Sequence, residues 1–165
     1  MTDATLELIK ILKQNARTPL EDIAGMLKLS VKKVAAMIEK LEADGVILQY
    51  TMVTNDELVS GSDVPIRALI KIKVAPQKRA GYDAVAQRIC RYDNVVSHYL
   101  VSGDYDFLVI VEGSSLQEIS AFVSDKLASI EHVVSTATHF IMKKYKESGV
   151  LLEKPNEDAR LAVSA

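Results

Sequence analysis

The sequence has little cysteine, few aromatic residues and no long apolar run. Cys90 is the single cysteine of 165 residues, so no disulfide can form within one chain. No stretch approaches the roughly 20 apolar residues of a membrane span, and the N-terminus lacks the layout of a signal peptide. These absences predict a cytoplasmic globular protein. Cys90, which follows Val85, Ala86 and Ile89, is predicted to be a core residue rather than a reactive thiol.

The marks of catalysis and metal binding are also missing. His98, His132 and His139 are scattered without the spacing of a zinc site, and no nucleophile elbow, phosphate-cradling loop or dinucleotide fingerprint is present. We therefore expect no metal, no cofactor and no enzymatic activity. The net charge of -2 argues against a protein that coats nucleic acid nonspecifically, because such proteins are strongly basic. Any DNA binding must use a local basic patch.

Residues 18–45 predict two short helices that meet at a tight turn. In the second helix, five apolar residues at helical spacing are predicted to pack inward: Val31, Val34, Ala35, Ile38 and Leu41. Ser30 is its expected N-cap. Thr18 with Pro19 and Glu21 predicts a capping box for the earlier helix, with proline at N1. This is the pattern of a helix-turn-helix.

The outward side of the second helix is the candidate DNA-binding surface. It comprises Ser30, Lys32, Lys33, Ala36, Met37 and Lys40. Lysines meet phosphate or guanine in double-stranded DNA, and alanine or methionine meets a thymine methyl group. The alternative is a solvated face on an ordinary helical hairpin. Because the basic residues are few, useful affinity requires at least a dimer.

The chain divides into two domains of different period. A first helix, apolar between Leu6 and Leu12 and ending near Asn15, completes a three-helix unit that Gly45 ends. The segment VILQYTMV at 46–53 predicts a strand. The predicted organisation is a (winged) helix-turn-helix DNA-binding domain at 1–54, a linker at 55–65, a second domain at 66–147 and a C-terminal tail at 148–165.

The second domain repeats a strand-helix-strand unit. Apolar residues alternate along 66–74, recur at helical spacing in 76–93 and return to strand composition at 95–102. A second strand, helix and strand follow at 106–145, and Ser115 with Glu118 predicts a capping box for that helix. Two such units predict an α+β fold, a ferredoxin-like βαββαβ sandwich with two helices on one face of a four-stranded antiparallel sheet.

Both faces of the predicted sheet are apolar. Phe107 and Val109 point one way along their strand, and Leu108 and Ile110 point the other. A patch of this size on a soluble monomer is normally covered by a partner. We therefore predict a homodimer packed sheet against sheet, which also brings two helix-turn-helix units together.

The turn SGDYD at 102–106 is the candidate small-molecule site. A hairpin turn alone explains Gly103 and one aspartate. In the functional interpretation, exposed amides of the turn bind a carboxylate while Asp104 or Asp106 meets an ammonium group, as an amino acid requires.

Thr136 and Thr138 project from one face of the last strand. Threonine is a good strand residue, which by itself explains both. In the functional interpretation, their hydroxyls complete a polar pocket with the middle hairpin of a neighbouring subunit.

Three segments together resemble the Lrp/AsnC family, the feast/famine regulators of bacteria and archaea: NARTPLEDIAGMLKLS, VKKVAAMIEKLEADGVI and VSGDYDFLVIV. The resemblance covers nearly the whole chain. It implies a DNA-binding domain, a ferredoxin-like sensing domain, an amino-acid effector, and a dimer that often assembles four-fold into an octamer. It also implies that the helix after Ser30 enters the major groove. The implied effector pocket contains Ser102, Gly103 and Asp104, and the strand of Thr136 and Thr138 approaches it.

Three residues depart from the family pattern. Lys28 stands where glycine is usual, which implies a left-handed backbone at a cost of about 1 kcal/mol. Met37 stands where arginine is usual and cannot make its bidentate contact to guanine or phosphate. Thr5 stands near a usual aspartate at the start of the first helix.

Two alternative functions share this architecture. Sirohaem decarboxylases resemble it, and His98 with Tyr99 lies on the strand where such enzymes carry histidine. A decarboxylase requires a cluster of arginine and histidine around a tetrapyrrole, whereas this domain offers SGDYD and small hydroxyls. The other alternative is an amino-acid sensor whose helical domain does not bind DNA.

Overall fold

The computed structural model describes residues 2–59, 64–75 and 81–152, and the chain divides into two compact units. The first unit ends at Thr54 and the second begins at Asn55. Within these described ranges, no helix has the length and apolar character needed to cross a membrane.

Three helices form the first unit: α1 (Asp3–Gln14), α2 (Leu20–Leu27) and α3 (Val31–Ala43). Their core is small, with five buried residues contributed by all three helices: Leu8, Ile23, Ala24, Val34 and Leu41. Gly45 ends α3 with a positive φ of 69°, a conformation that glycine adopts without steric cost.

The helix starts of this unit partly match the prediction. Ser30 is the N-cap of α3, and its Oγ accepts a hydrogen bond from the Lys33 amide at 3.3 Å. The capping box predicted at Thr18 is wrong, because α2 begins at Leu20 and Pro19 occupies the N-cap position. The Thr18 hydroxyl instead donates to the Asn15 carbonyl at 2.8 Å, so it is not free to cap the helix.

The strand predicted at 46–53 is also wrong. The segment is irregular, and it lies in no ladder among the strands of the described residues. Backbone amides at its start bond back to α3, as Ile47 N does to the Leu41 carbonyl at 3.0 Å. Alternation of apolar residues predicts a strand only where a second strand supplies partners, and Leu48 and Met52 remain more than 80% exposed.

The second unit contains a four-stranded antiparallel sheet in the order β2-β3-β1-β4. Its strands are β1 (Ile66–Val74), β2 (Val95–Leu100), β3 (Phe107–Gly113) and β4 (Val133–Phe140). Its helices are α4 (Gly81–Ile89) and α5 (Leu116–Phe122), and α5 continues into a π-helical turn at Val123–Leu127. A small hairpin follows, made of β5 (Lys146–Glu147) and β6 (Val150–Leu151). The ferredoxin-like prediction is confirmed.

The core of this unit lies on the face of the sheet that the helices cover. Every second residue of β1 and β3 points into it, from Ala68 to Val74 and from Phe107 to Val111. Ile89 from α4 and Ile119 from α5 close it from the other side. Among the described residues, this core has fourteen buried members, nearly three times as many as that of the first unit.

The N-terminus of α5 has the predicted cap in modified form. Ser115 Oγ accepts from the Glu118 amide at 3.1 Å. The Glu118 carboxylate accepts from the side chain and the amide of Ser114, at 2.6 Å and 2.7 Å, rather than from Ser115. These hydrogen bonds to the charged form lower the pKa of Glu118.

The prediction that Cys90 is a core residue is wrong. The helix α4 ends at Ile89, one residue before Cys90. Cys90 therefore does not continue the buried apolar face of the helix, and its side chain is exposed. Its Sγ lies 3.4 Å from Nδ1 of His98 on β2.

Candidate DNA-binding surface and sensing site

One side of α3 carries exposed basic residues. Lys32, Lys33, Ala36 and Lys40 are all exposed, and their spacing of three and four residues gathers them on one side of the helix. Val34 and Leu41 on the opposite side are buried in the core of the first unit. Among the described residues, none of these three lysines forms a salt bridge with a carboxylate. Their charges are therefore available to phosphate.

Two residues of α3 differ from the predicted pattern. Met37 was expected to face outward, but it is half-buried and packs against the core of the first unit. The reason is its position three residues after Val34 and four before Leu41, which places it beside the buried stripe. Val31, expected to pack inward, is 39% exposed because it is the first residue of the helix.

The turn between α2 and α3 contains the expected strained residue. Lys28 has φ 53° and ψ 42°, which is the left-handed helical region. Its amide bonds back to the carbonyls of α2, so the residue ends that helix and redirects the chain toward Ser30. The prediction of a left-handed Lys28 is confirmed.

The hairpin between β2 and β3 presents the candidate effector residues to solvent. Ser102, Gly103 and Asp104 are exposed, and Gly103 has a positive φ of 152°. The hairpin is closed by the Val101 amide, which donates to the Asp106 carbonyl at 2.9 Å. The tip therefore offers a carboxylate and a glycine-containing backbone on a well-anchored loop.

The two aspartates of this hairpin have different roles. Asp106 is half-buried, and its Oδ2 accepts from the Val74 amide at 2.7 Å while its Oδ1 accepts from the Tyr82 hydroxyl at 3.0 Å. The latter bond raises the pKa of Tyr82. Asp106 thus ties β1 and α4 to the hairpin, and each of its carboxylate oxygens already accepts a hydrogen bond. Asp104 is the aspartate that remains exposed.

Thr136 and Thr138 lie apart from this hairpin within one chain. They pair with Ile72 and Ile70, so both point to the helix-covered face of the sheet, where they are half-buried. The strand β1 separates β4 from β3, and two strand spacings amount to roughly 10 Å. One chain therefore does not gather the threonines and Asp104 into one pocket.

The other face of the sheet is open. The strand register places Leu69, Tyr99, Leu108 and Ile110 on this open face, together with Lys71, Lys73 and the ion pair of Arg67 with Glu112. Tyr99 is 51% exposed. The strand β3 therefore has large apolar residues on both faces, as predicted, whereas three of the four β1 residues on the open face are charged.

A pocket of about 380 Å³ in the second unit was not predicted. It lies where Asn55 and Asp56 meet the chain after β4, and Ile66, Arg67 and Leu152 also line it. Asn55 Nδ2 donates to the Leu152 carbonyl at 2.7 Å, and Asp56 pairs with Lys144 at 2.5 Å. These partners are about 90 residues apart in sequence, so no local pattern indicates the site.

His98 does not have the setting of a catalytic histidine. Its ring packs on Phe107 at 4.8 Å on the helix-covered side of β2, and its Nε2 is enclosed without a hydrogen-bond partner in the described structure. Burial lowers the pKa of His98. A decarboxylase would instead use its histidine at a cavity that admits a tetrapyrrole.

The fold and these surfaces define a class of protein, a DNA-binding regulator with a helix-turn-helix unit and a separate ligand-binding domain. A family model for the Lrp/AsnC ligand binding domain matches residues 67–151, and one for a winged helix-turn-helix DNA-binding domain matches residues 1–47. The chain belongs to the Lrp/AsnC family. It is a transcriptional regulator and not an enzyme.

The chain is similar to known regulators over most of its own length and of theirs. The chain is 42% identical over 164 residues to YugG of Bacillus subtilis, an uncharacterized HTH-type transcriptional regulator, covering 99% of this chain and 98% of the relative. It is 32% identical to the HTH-type transcriptional regulator FL11 of Pyrococcus furiosus, covering 90% and 93%. The transcriptional regulator NMB0573 of Neisseria meningitidis, solved as a complex with L-Met, shares the fold with a TM-score of 0.67 at 20% identity, covering 92% and 97%.

Proposed function

We propose that this regulator binds double-stranded DNA through the exposed basic side of α3, as a homodimer or a larger assembly of dimers, and responds to an amino acid bound at the hairpin 102–104. The observation that carries the proposal is the exposed lysine surface on α3, directly after a left-handed turn that ends α2. The residues proposed for DNA contact are Ser30, Lys32, Lys33, Ala36, Met37 and Lys40.

Two features support major-groove binding by α3. The N-cap at Ser30 leaves the first amides of the helix near the surface that the lysines share, and helix N-termini attract phosphate. Ala36 lies between the lysines, where a small side chain allows close approach to a thymine methyl group. Met37 contributes only the part of its side chain that the core leaves exposed.

Support for an amino-acid effector comes from charge complementarity. Asp104 is exposed and suits an ammonium group, and the backbone around Gly103 suits a carboxylate. The related fold of NMB0573 was solved with L-Met, which is a property of that protein and makes an amino acid the first class to test here. Thr136 and Thr138 point to the helix-covered face of the edge strand β4, so they would join the site only from a neighbouring subunit that approaches this edge, not from one packed on the open face.

The open face supports dimer formation. Leu69, Leu108 and Ile110 are half-buried in one chain and Tyr99 is half exposed, so a second copy packed on this face removes their remaining apolar surface from water. A dimer also doubles the number of lysines that face DNA, which the small patch on one chain requires. An effector that binds one arrangement of subunits more tightly than another would then shift DNA affinity.

The DNA surface is tested with duplexes selected from a random library by the full-length protein. Lys32→Ala and Lys33→Ala should each weaken binding to a selected duplex, and each should reduce the slope of log affinity against log salt by about 0.9 for every phosphate that the lysine neutralises. Fluorescence anisotropy at several salt concentrations measures both. Lys10→Ala on α1, whose ammonium already pairs with Glu7 at 3.1 Å, is the matched control and should change neither quantity.

An unchanged salt slope in both α3 variants would show that these lysines are only solvated. Failure to select any duplex would favour the alternative of a sensor that does not bind DNA. Loss of binding in Lys10→Ala alone would move the DNA surface to α1.

A further inference from the structure

Lys71 is a half-buried residue in the middle of the open face. The strand register places it beside Leu108 on β3 and Ala137 on β4, and Leu69 precedes it on the same side of β1. Its Nζ lies 4.9 Å from the centroid of the Tyr105 ring. Tyr105 is the residue after Asp104, so the charge stands next to the proposed effector hairpin.

The two other cations on this side of β1 have different surroundings. Arg67 is paired with Glu112 and, at 3.2 Å, with Glu147. Lys73 is exposed to water. Lys71 alone combines partial burial with the absence of a carboxylate partner, as far as the described residues go.

A lysine that is half-buried beside apolar neighbours and has no carboxylate partner among the described residues favours an anion. The face of the Tyr105 ring compensates part of the lost hydration, because an aromatic ring attracts a cation. A ring does not replace a carboxylate, and a second subunit on the open face would remove more water from Lys71. The charge of Lys71 is therefore left for a group that the chain does not supply among its described residues.

We propose that Lys71 binds an acidic group on the side chain of the effector, so that the effector is an acidic amino acid. The inference rests on the proposed function, in which the hairpin 102–104 holds the α-carboxylate and α-ammonium groups. Lys71 then selects the side chain. An acidic amino acid presents its second carboxylate to this ammonium, whereas a neutral isostere leaves the charge unpaired.

The test compares acidic amino acids with their neutral isosteres on the full-length protein. L-glutamate or L-aspartate should raise the Tm by about 5 °C or more at a hundredfold excess over its Kd, and L-glutamine and L-asparagine should raise it less. In Lys71→Met the preference for the acid should disappear. Lys73→Met, on the same strand and the same face, should keep it. Lys71→Arg keeps the charge and should also keep the preference, which covers the case in which Lys71→Met does not fold.

Other outcomes overturn the inference. A neutral or basic amino acid that stabilises the protein best would contradict the role of Lys71 and leave the proposed amino-acid response intact. Indifference to all twenty amino acids would remove the proposed effector class and this inference with it. A Lys71→Met variant that keeps the preference but loses oligomer mass would place Lys71 in a contact between subunits instead.

Discussion

The two proposed functional surfaces of this protein are built in different ways. The basic surface of the first unit lies on one helix, with all its lysines within nine residues of the sequence. The proposed sensing surface combines a hairpin tip, a central strand and an edge strand that β1 separates from that hairpin. The proposed DNA contacts of one chain therefore lie on one helix, whereas the proposed sensing site would need a neighbouring chain to bring its parts together.

The cores of the two units also differ, in the number of buried residues. In the part of the chain that the structure describes, five buried residues form the core of the three helices, and fourteen form the core of the sheet and its helices. A small core has little stability to lose, because hydrophobic stabilisation grows with the area buried. The first unit should therefore be the one that a single core substitution unfolds.

Among the substitutions that test this difference between the cores, Leu8→Ala should have the largest effect on stability. Leu8 is fully buried in the small core, and its truncation should cost about 2–5 kcal/mol of unfolding free energy. We expect DNA binding to be abolished while the mass of the assembly, measured by light scattering, is unchanged. Leu48→Ala, at a leucine that is 87% exposed, is the control and should change stability by less than about 0.5 kcal/mol. Dissociation of the assembly in Leu8→Ala would show that the two units do not differ in this way.

The aspartates of the hairpin should show the next largest effect. Asp106→Ala removes two hydrogen bonds that join separate elements and should cost about 1–3 kcal/mol in thermal or urea unfolding. Asp104→Ala should leave stability and oligomer mass unchanged but abolish stabilisation by the effector. If Asp104→Ala instead destabilises the fold, its carboxylate is structural and the sensing site lies elsewhere.

Lys28→Gly should stabilise the first unit by about 1 kcal/mol at most. Glycine removes the cost of the left-handed conformation, and its greater freedom in the unfolded chain offsets part of the gain. Lys10→Gly, in the middle of α1, should lower stability by a similar amount because glycine disfavours a helix interior. Urea unfolding measures both, and equal losses in the two variants would show that Lys28 is not strained.

His98 should give the smallest effect, a pH dependence confined to the second unit. Burial lowers the pKa of His98 below its unfolded value of about 6.5, so the unfolded chain binds the proton more tightly. Stability should therefore fall as the pH drops below 6.5 toward the folded pKa. His98→Leu should reduce that slope, and His139→Leu, at an exposed histidine on β4, should keep it. If His98→Leu leaves the slope of stability against pH unchanged, His98 is not the source of this pH dependence.

Local signals in the sequence predicted the fold well. Ser30 predicted the start of α3 and Gly45 its end, and strict alternation of apolar residues predicted β1. Caps and periodicity depend on neighbours within a few residues, so a single sequence shows them. The predictions were wrong where an element ended earlier than its apolar pattern, or where its partners were distant in sequence. Cys90 fell outside the core because α4 ended one residue earlier than its apolar stripe suggested.

The site was predictable only where it is local. The lysines of α3 follow from helical spacing, whereas the different roles of Asp104 and Asp106 depend on Val74 and Tyr82, which are more than 20 residues away. The setting of Lys71 likewise depends on Tyr105, 34 positions further along the chain. No single-sequence pattern carries these pairings, because strand register and hairpin closure decide them.

The most direct test of the account is light-scattering mass combined with a thermal-shift screen of the twenty amino acids on the purified protein. We predict a dimer or a larger assembly of dimers that one amino acid, of the acidic class, stabilises by about 2.7 kcal/mol at a hundredfold excess over its Kd. A monomer would contradict the burial of the open face, and an assembly indifferent to all twenty would contradict the amino-acid response.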